Sequence, residues 1–255
     1  MERAELIARL RGFLLSEHRV RVAWLGGADA SGRVDDRSDV DLVLAVEEAD
    51  REDVFKAITG WFDEQFGIRA MHRLRDPTPH GHSQALYLGR RLSDDLALDL
   101  MVMPIGTPSD QRFLEVERHG RAIPLVDRLG WLDEGVPNDA ATRDDRIDRH
   151  LDALAGMHPF QHPMVERAID RGHWSEAMDG YQRRMLRPLC DLMRIEHDPD
   201  RFDFGFRYVD RDLPEADREL LEHLSFVPDF ESLRQRVTSC REEFERRLQR
   251  IIDAR

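Results

Sequence analysis

The stretch 24–46 constrains this chain more than any other. An apolar, β-branched run, Val20–Leu25, stops at the pair Gly26-Gly27, and a polar loop of turn formers follows. The chain then re-enters an apolar run that begins with Asp39, Val40 and Asp41. In a β-strand, residues i and i+2 point to one face, so the two carboxylates are expected to project together. Val40, Leu42 and Leu44 then line the opposite face, against a core. Two anions held side by side repel, and burying either without a partner is costly. A divalent cation with hard oxygen ligands removes the conflict, and Mg²⁺ is the usual choice where phosphates are handled. The stretch reads as a metal and phosphate site.

A third acid joins it. The run 96–103, Leu-Ala-Leu-Asp-Leu-Met-Val-Met, is a predicted strand that Pro104 ends, with Asp99 alone among apolar neighbours. A wholly apolar strand suggests burial on both sides, which disfavours an edge-strand acid facing solvent. Beside Asp39 and Asp41, Asp99 becomes the natural third ligand. The other acidic pairs, Asp35-Asp36, Asp94-Asp95 and Asp144-Asp145, sit in polar surroundings and read as solvated surface.

Around these landmarks the spacing predicts helices over 2–17 and 49–66, the second closed by Gly67, and strands over 20–25, 39–46, 68–74 and 84–88. A breaker-rich loop at 76–82 separates the last two. A short helix at 109–118 and an apolar piece at 122–126 follow, and residues 130–145 are loop-like, with Gly135, Pro137 and Asn138. Beyond them the pattern is helical: 144–154, 163–170, 175–195, 215–224 and 229–252. The expected architecture is α/β (α+β), a mixed sheet flanked by helices over 1–130, followed by an all-α helical domain over 131–255.

Composition bounds the partners. The formal net charge of −13 argues against an extended nucleic-acid footprint, which needs a basic face, and suits a cationic small molecule or simple solubility. Lys56 is the only lysine, so arginine supplies nearly all positive charge. No apolar run approaches a membrane span, the N-terminus is amphipathic rather than signal-like, and Cys190 and Cys240 lack metal-type spacing. These features lead to the expectation of a soluble cytoplasmic protein with reduced thiols.

The arrangement of strand, Gly26-Gly27, loop, Ser38-Asp39-Val40-Asp41-Leu42 and later strand acid Asp99 resembles the DNA polymerase β-like nucleotidyltransferase superfamily. The length and helical second half look like its small antibiotic (aminoglycoside/lincosamide-type) nucleotidyltransferases. The motifs lie within 20–105; beyond them only the helical character matches. The resemblance implies a nucleotidyltransferase-type sheet on which Asp39, Asp41 and Asp99 hold two Mg²⁺ ions and carry catalysis. It also implies that Gly26 and Gly27 receive the triphosphate of ATP or another NTP, the backbone coming close because no Cβ intervenes. The implied reaction moves a nucleoside monophosphate, AMP by precedent, onto a hydroxyl of a small acceptor such as an aminoglycoside-like antibiotic, in a monomer or a homodimer. Modification of tRNA or protein, and a nucleotide-binding regulatory module without turnover, are the competing functions. Many members carry serine where Gly27 stands, and Ser38 or Ser31 is a candidate replacement hydroxyl.

Other residues carry two readings each. Arg183 and Arg184, in Tyr-Gln-Arg-Arg-Met-Leu-Arg at 181–187, either reach the triphosphate, since guanidinium forks suit phosphate oxygens, or form a solvated helix face. His72, His80 and His82 lack a matching ligand group and read as a surface loop rather than a metal site. The aromatic segment 203–210 either walls the acceptor pocket or packs between helices, and Trp174 and Glu176 carry the same pair of readings.

Overall fold

Apolar strand runs interleaved with helices in the first half of the chain and helical spacing in the second become two units in the computed structural model, Met1–Asn138 and Asp139–Arg255. The structure describes residues 2–76, 78, 80–133, 136, 137 and 139–255; of the loop formers singled out above, Gly135 and Asn138 lie outside them. The division falls beyond residue 130, where the composition changes. The reason is that Val136 bridges to Glu115 and its N–H donates to the Leu114 carbonyl at 3.3 Å.

The first unit runs α1 (Arg3–Ser16), β1 (Val20–Leu25), α2 (Gly27–Ala30), β2 (Val40–Val46), a 3-10 turn (Glu48–Asp50), α3 (Arg51–Phe66), β3 (Ile68–Arg73), β4 (Ser83–Gly89), β5 (Ala97–Pro104), a second 3-10 turn (Ser109–Gln111), α4 (Val116–His119) and β6 (Ile123–Asp127). Among the described residues the strands form one mixed sheet, in the order β3-β4-β5-β2-β1-β6. Only β2 and β5 are parallel; the other neighbours are antiparallel. Gly67 ends α3 with φ of 64°, the left-handed backbone that glycine adopts without a Cβ penalty. The loop after the glycine pair holds a four-residue helix that the turn formers do not announce, and the expected helix at 109–118 is the 3-10 turn plus the short α4.

Period-two alternation sorts the strands between two cores. Val40, Leu42 and Leu44 join Leu98, Leu100 and Val102 beneath Leu6, Leu10 and Leu14 of α1 and Val54, Ile58 and Phe62 of α3, all fully buried. Burying each such side chain contributes about 1.5–3 kcal/mol relative to exposure. The opposite face packs Val22, Trp24, Val43, Ala45 and Met103 against Leu114, Phe113 and Trp131. Both faces of the central strands are therefore covered, as the apolar runs imply.

The second unit is helical: α5 (Ala140–Asp170), α6 (Trp174–Tyr181), a π segment (Gln182–Leu186), α7 (Arg187–His197), a 3-10 segment (Pro199–Phe204), α8 (Val209–Asp212), α9 (Glu215–Ser225) and α10 (Phe230–Ala254). The helices expected at 144–154 and 163–170 are one, α5, which runs through Pro159 and Pro163. An interior proline costs about 3 kcal/mol; burial of Ile147, Leu151, Leu154, Val165, Ala168 and Ile169 along one face outweighs it. The π segment precedes Pro188, whose ring would clash with the carbonyl of residue 184 in a regular α-helix, and a wider turn relieves that contact.

Segment 203–210 is tied to this core through its backbone carbonyls, while the Phe206 and Tyr208 side chains lie exposed. The fully buried Arg194 donates through Nε to the Gly205 carbonyl at 2.6 Å and through its terminal nitrogens to the Arg207 carbonyl and to Asp212, at 3.4 Å. Trp174 packs edge-on against Phe230, with centroids 5.0 Å apart, while Glu176 pairs at the surface with His173. No described helix is long and apolar enough to cross a membrane.

Two outcomes follow from these packings. Removing one partner of a buried ion pair strands the other, so Arg194→Met is expected to cost about 3–5 kcal/mol in denaturant unfolding. Burial raises the thiols of Cys190 to about 11 and Cys240 to about 12. Both thiols should therefore resist a thiol reagent at pH 8 in the folded protein and react once it is denatured.

Candidate active site

The parallel register of β2 and β5 places Asp41 directly opposite Asp99. Neighbouring strands lie about 4.8 Å apart, and residues in register share a face, so the two carboxylates stand side by side. Below them the same face continues as Val43 beside Met101 and Ala45 beside Met103, which enter the second core. The acids occupy the rim where that apolar cover ends, and both are half-buried. Because β5 is an interior strand, Asp99 is not an edge-strand acid.

Asp39 precedes the first residue of β2 and is exposed. Its Oδ1 accepts from the Ala97 N–H at 3.0 Å, which ties its carboxylate to the start of β5. All three acids thus lie at the same ends of the two parallel strands, though not as a tight ligand set. Among the described residues, the group whose ligand atoms all lie within 4.8 Å of one another is Glu196, His197 and Asp217 of the helical unit. Those carboxylates are committed to ion pairs with Arg247.

The glycine pair sits over Asp41. The Gly26 N–H donates to the Asp41 carbonyl at 2.9 Å, joining the end of β1 to the start of β2. Gly27 has φ of 51°, and a Cβ built on it would fall 1.8 Å from Asp41 Oδ2. The carboxylate therefore fills the space that any side chain at 27 would need. In this conformation a serine does not fit at Gly27 without displacing Asp41. A Cβ at Gly26 would meet its nearest neighbours, on Asp41 and Val43, at an ordinary 3.9 Å.

Arg3 of α1 fastens the loop between these elements. Its guanidinium donates to both oxygens of Asp29 in α2, through Nε to the Ser38 carbonyl at 3.0 Å, and to the Asp39 carbonyl at 3.0 Å. The start of the first helix thereby fixes where the loop returns to β2. The Ser38 hydroxyl donates to Asp35 Oδ1 at 2.8 Å and accepts from the Asp35 N–H at 2.9 Å, closing a turn. That hydrogen bond holds the Asp35 carboxyl below its ordinary range. The Ser31 hydroxyl donates to the Ala28 carbonyl at 3.2 Å.

On the far side, Gln84 of β4 donates through Nε2 to both Asp99 oxygens, at 2.7 and 2.9 Å. Its Oε1 faces His80 Nε2 at 3.0 Å. His80 and His82, expected in a surface loop, pack against the Phe113 ring, and His82 is buried with Nε2 on the Gln111 carbonyl at 2.8 Å. Burial holds the His82 imidazole below its usual pKa, and so neutral. His72 lies exposed on β3. Phe113 itself has φ of 59°, a strained value for a bulky residue.

Arg183 and Arg184 belong to the helical unit. Arg183 is exposed and pairs with Asp179 at 2.7 Å, and Arg184 donates to the Met164 sulfur at 3.6 Å. In the first unit a cavity of about 1000 Å³ opens beside Ser38, lined by Arg3, Arg11, Leu25, Leu96 and Leu125. Its apolar walls belong to the face packed by α1, so it is not the space above Asp41 and Asp99. Sequence reasoning did not single out Arg3, Asp29 or Gln84. An arginine in an amphipathic helix and a glutamine opening a strand carry no spacing signal that separates them from surface residues.

No family model matches the chain, and no curated protein does. Among solved structures it is similar to an aminoglycoside 6-adenyltransferase from Bacillus subtilis, over 96% of this chain and 87% of that one, with 14% sequence identity and a TM-score of 0.35. A likeness at that level leaves the chemistry to be argued from the residues themselves.

The contact between Gly27 and Asp41 gives a direct test of the geometry. Left-handed backbone and a blocked Cβ together should make Gly27→Ala cost about 1–3 kcal/mol in thermal unfolding. Gly26→Ala, with φ of −100° and room for its methyl, should cost under about 1 kcal/mol.

Proposed function

We propose that this protein is a nucleotidyltransferase that moves a nucleoside monophosphate, AMP from ATP in the first instance, onto a hydroxyl of a small-molecule acceptor. The observation that carries the reading is the pairing of Asp41 with Asp99 in register on parallel strands, beneath a glycine turn whose missing Cβ leaves room for the Asp41 carboxylate. The donor set fits Mg²⁺: carboxylate oxygens are hard ligands, and like charges this close are relieved by a cation. Asp41 and Asp99 would hold it, with Asp39 at the strand mouth as the third ligand. A bound Mg²⁺ would supply charge neutralisation for the phosphates and acidify the attacking hydroxyl.

The chain's own part is binding and orientation. Backbone at Gly26 and Gly27 would admit a polyphosphate closely, because neither residue carries a side chain. Arg3 and Gly26 set the start of β2, and with it the direction of the Asp41 carboxylate. In the reaction the acceptor oxygen bonds to the α-phosphorus, the bond from that phosphorus to the bridging oxygen breaks, and pyrophosphate leaves as the hydroxyl proton is released. Ser38 stays a candidate for a contact to the nucleotide. The net charge of −13 suits a cationic acceptor and disfavours a nucleic-acid surface.

The test is transfer of label from α-labelled ATP, GTP, CTP and UTP, with Mg²⁺, to aminoglycosides, lincosamides, tRNA and cell lysate. Label on a small product with pyrophosphate release supports the proposal. Label confined to RNA or protein moves the acceptor to a macromolecule, and nucleotide binding without pyrophosphate release makes the chain a regulatory module. Asp41→Asn should lower transfer by at least about a hundredfold, an effect on the scale of losing one preorganised electrostatic group, with the fold intact by circular dichroism. Parent-level transfer by that variant would remove the assigned role.

A further inference from the structure

We propose that Gln84 is a positioning residue that fixes the Asp99 carboxylate for a divalent cation, and that His80 fixes Gln84 in turn. The inference rests on the metal-binding reading of Asp41 and Asp99 and adds residues to it. A primary amide has a donor end and an acceptor end, and its direction must be set by something. Here both ends are engaged. Nε2 donates to Oδ1 and Oδ2 of Asp99 at 2.7 and 2.9 Å, and Oε1 faces His80 Nε2 at 3.0 Å.

The His80 ring decides the direction. The His82 N–H donates to His80 Nδ1 at 3.3 Å, which requires a lone pair on Nδ1. In a neutral imidazole the proton then sits on Nε2, so His80 donates to Gln84 Oε1. Gln84 is left with its NH₂ toward Asp99. The donors run one way: His82 backbone, His80, Gln84, Asp99. The ring itself is held by the edge-on Phe113, with centroids 6.0 Å apart, and by Thr78, which lies 3.2 Å from Nδ1 and gives its own proton to the His82 carbonyl.

The amide contributes orientation without positive charge. A carboxylate has about four lone-pair sites, so one NH₂ does not fill it, and a neutral amide adds no charge of its own. Partners of this kind around metal ligands typically account for about 10–100-fold in metal affinity.

Mn²⁺ binding to the chain of residues 1–255, followed by loss of the free-ion electron paramagnetic resonance signal without nucleotide, tests the proposal. The parent is expected to bind and Asp41→Asn to lose binding. Gln84→Leu, close in volume, should weaken binding by about tenfold or more while keeping the parent's circular dichroism. His80→Leu should weaken it by less, and His80→Gln, whose amide can donate from near the position of Nε2, should restore it. Parent-like affinity in Gln84→Leu, with binding lost in Asp41→Asn, would overturn the role of Gln84 and leave the metal site standing. Equal losses in His80→Leu and His80→Gln would remove His80 from the chain of donors. A parent that does not bind, or Asp41→Asn that binds as the parent does, would overturn the metal reading itself.

Discussion

Asp41 faces Asp99 because β2 and β5 run in the same direction in matched register, and that pairing organises the first unit. A one-residue slip would turn either acid into the opposite core, where Val40, Leu42, Leu98 and Leu100 are fully buried. The apolar pattern on one face therefore holds the two carboxylates on the other. Gly26 locks the end of β1 to Asp41, and Gly27 leaves out the one atom that would displace its side chain. Arg3 and Gln84 approach from outside the pair, one fastening the loop that leads into β2 and the other holding Asp99. Two like charges side by side on a half-buried rim repel, and relief of that repulsion is what the proposed cation would supply.

The helical unit solves a different problem. A fully buried arginine, Arg194, collects the carbonyls of the irregular segment between the 3-10 turn and α8, together with Asp212. Gly205 has φ of 59°, and a Cβ there would strike the Arg187 guanidinium. The aromatic segment is thus held to the helices by its backbone, with Gly205 buried and Phe206 and Tyr208 exposed. The Glu196, His197 and Asp217 group resembles a metal site by proximity, yet Arg247 already satisfies its carboxylates.

Apolar, β-branched runs carried the sheet. Val20–Leu25 is the strand its β-branched residues indicate, and the solitary acid in 96–103 was readable as interior because every neighbour was apolar. Adjacency of Asp41 and Asp99 was legible only as an expectation, because register is a tertiary property. Proline misled where packing overrode it: α5 passes through Pro159 and Pro163, although each removes a backbone donor. The histidines at 80 and 82 read as loop because a Pro-rich sequence hides which side chains fold back onto a core. Arg3 and Gln84 were invisible because Asp29, Ser38 and Asp39 lie 26 to 36 residues from Arg3 and Asp99 lies 15 from Gln84.

The central claim is that Asp41 and Asp99 together hold a divalent cation. The most direct measurement is the anomalous scattering of Mn²⁺ in crystals soaked with the ion and a non-hydrolysable ATP analogue. The account predicts a peak within coordinating distance, about 2 Å, of carboxylate oxygens from both residues. Peaks only at Glu196, His197 and Asp217, or none within reach of Asp41 and Asp99, would contradict it.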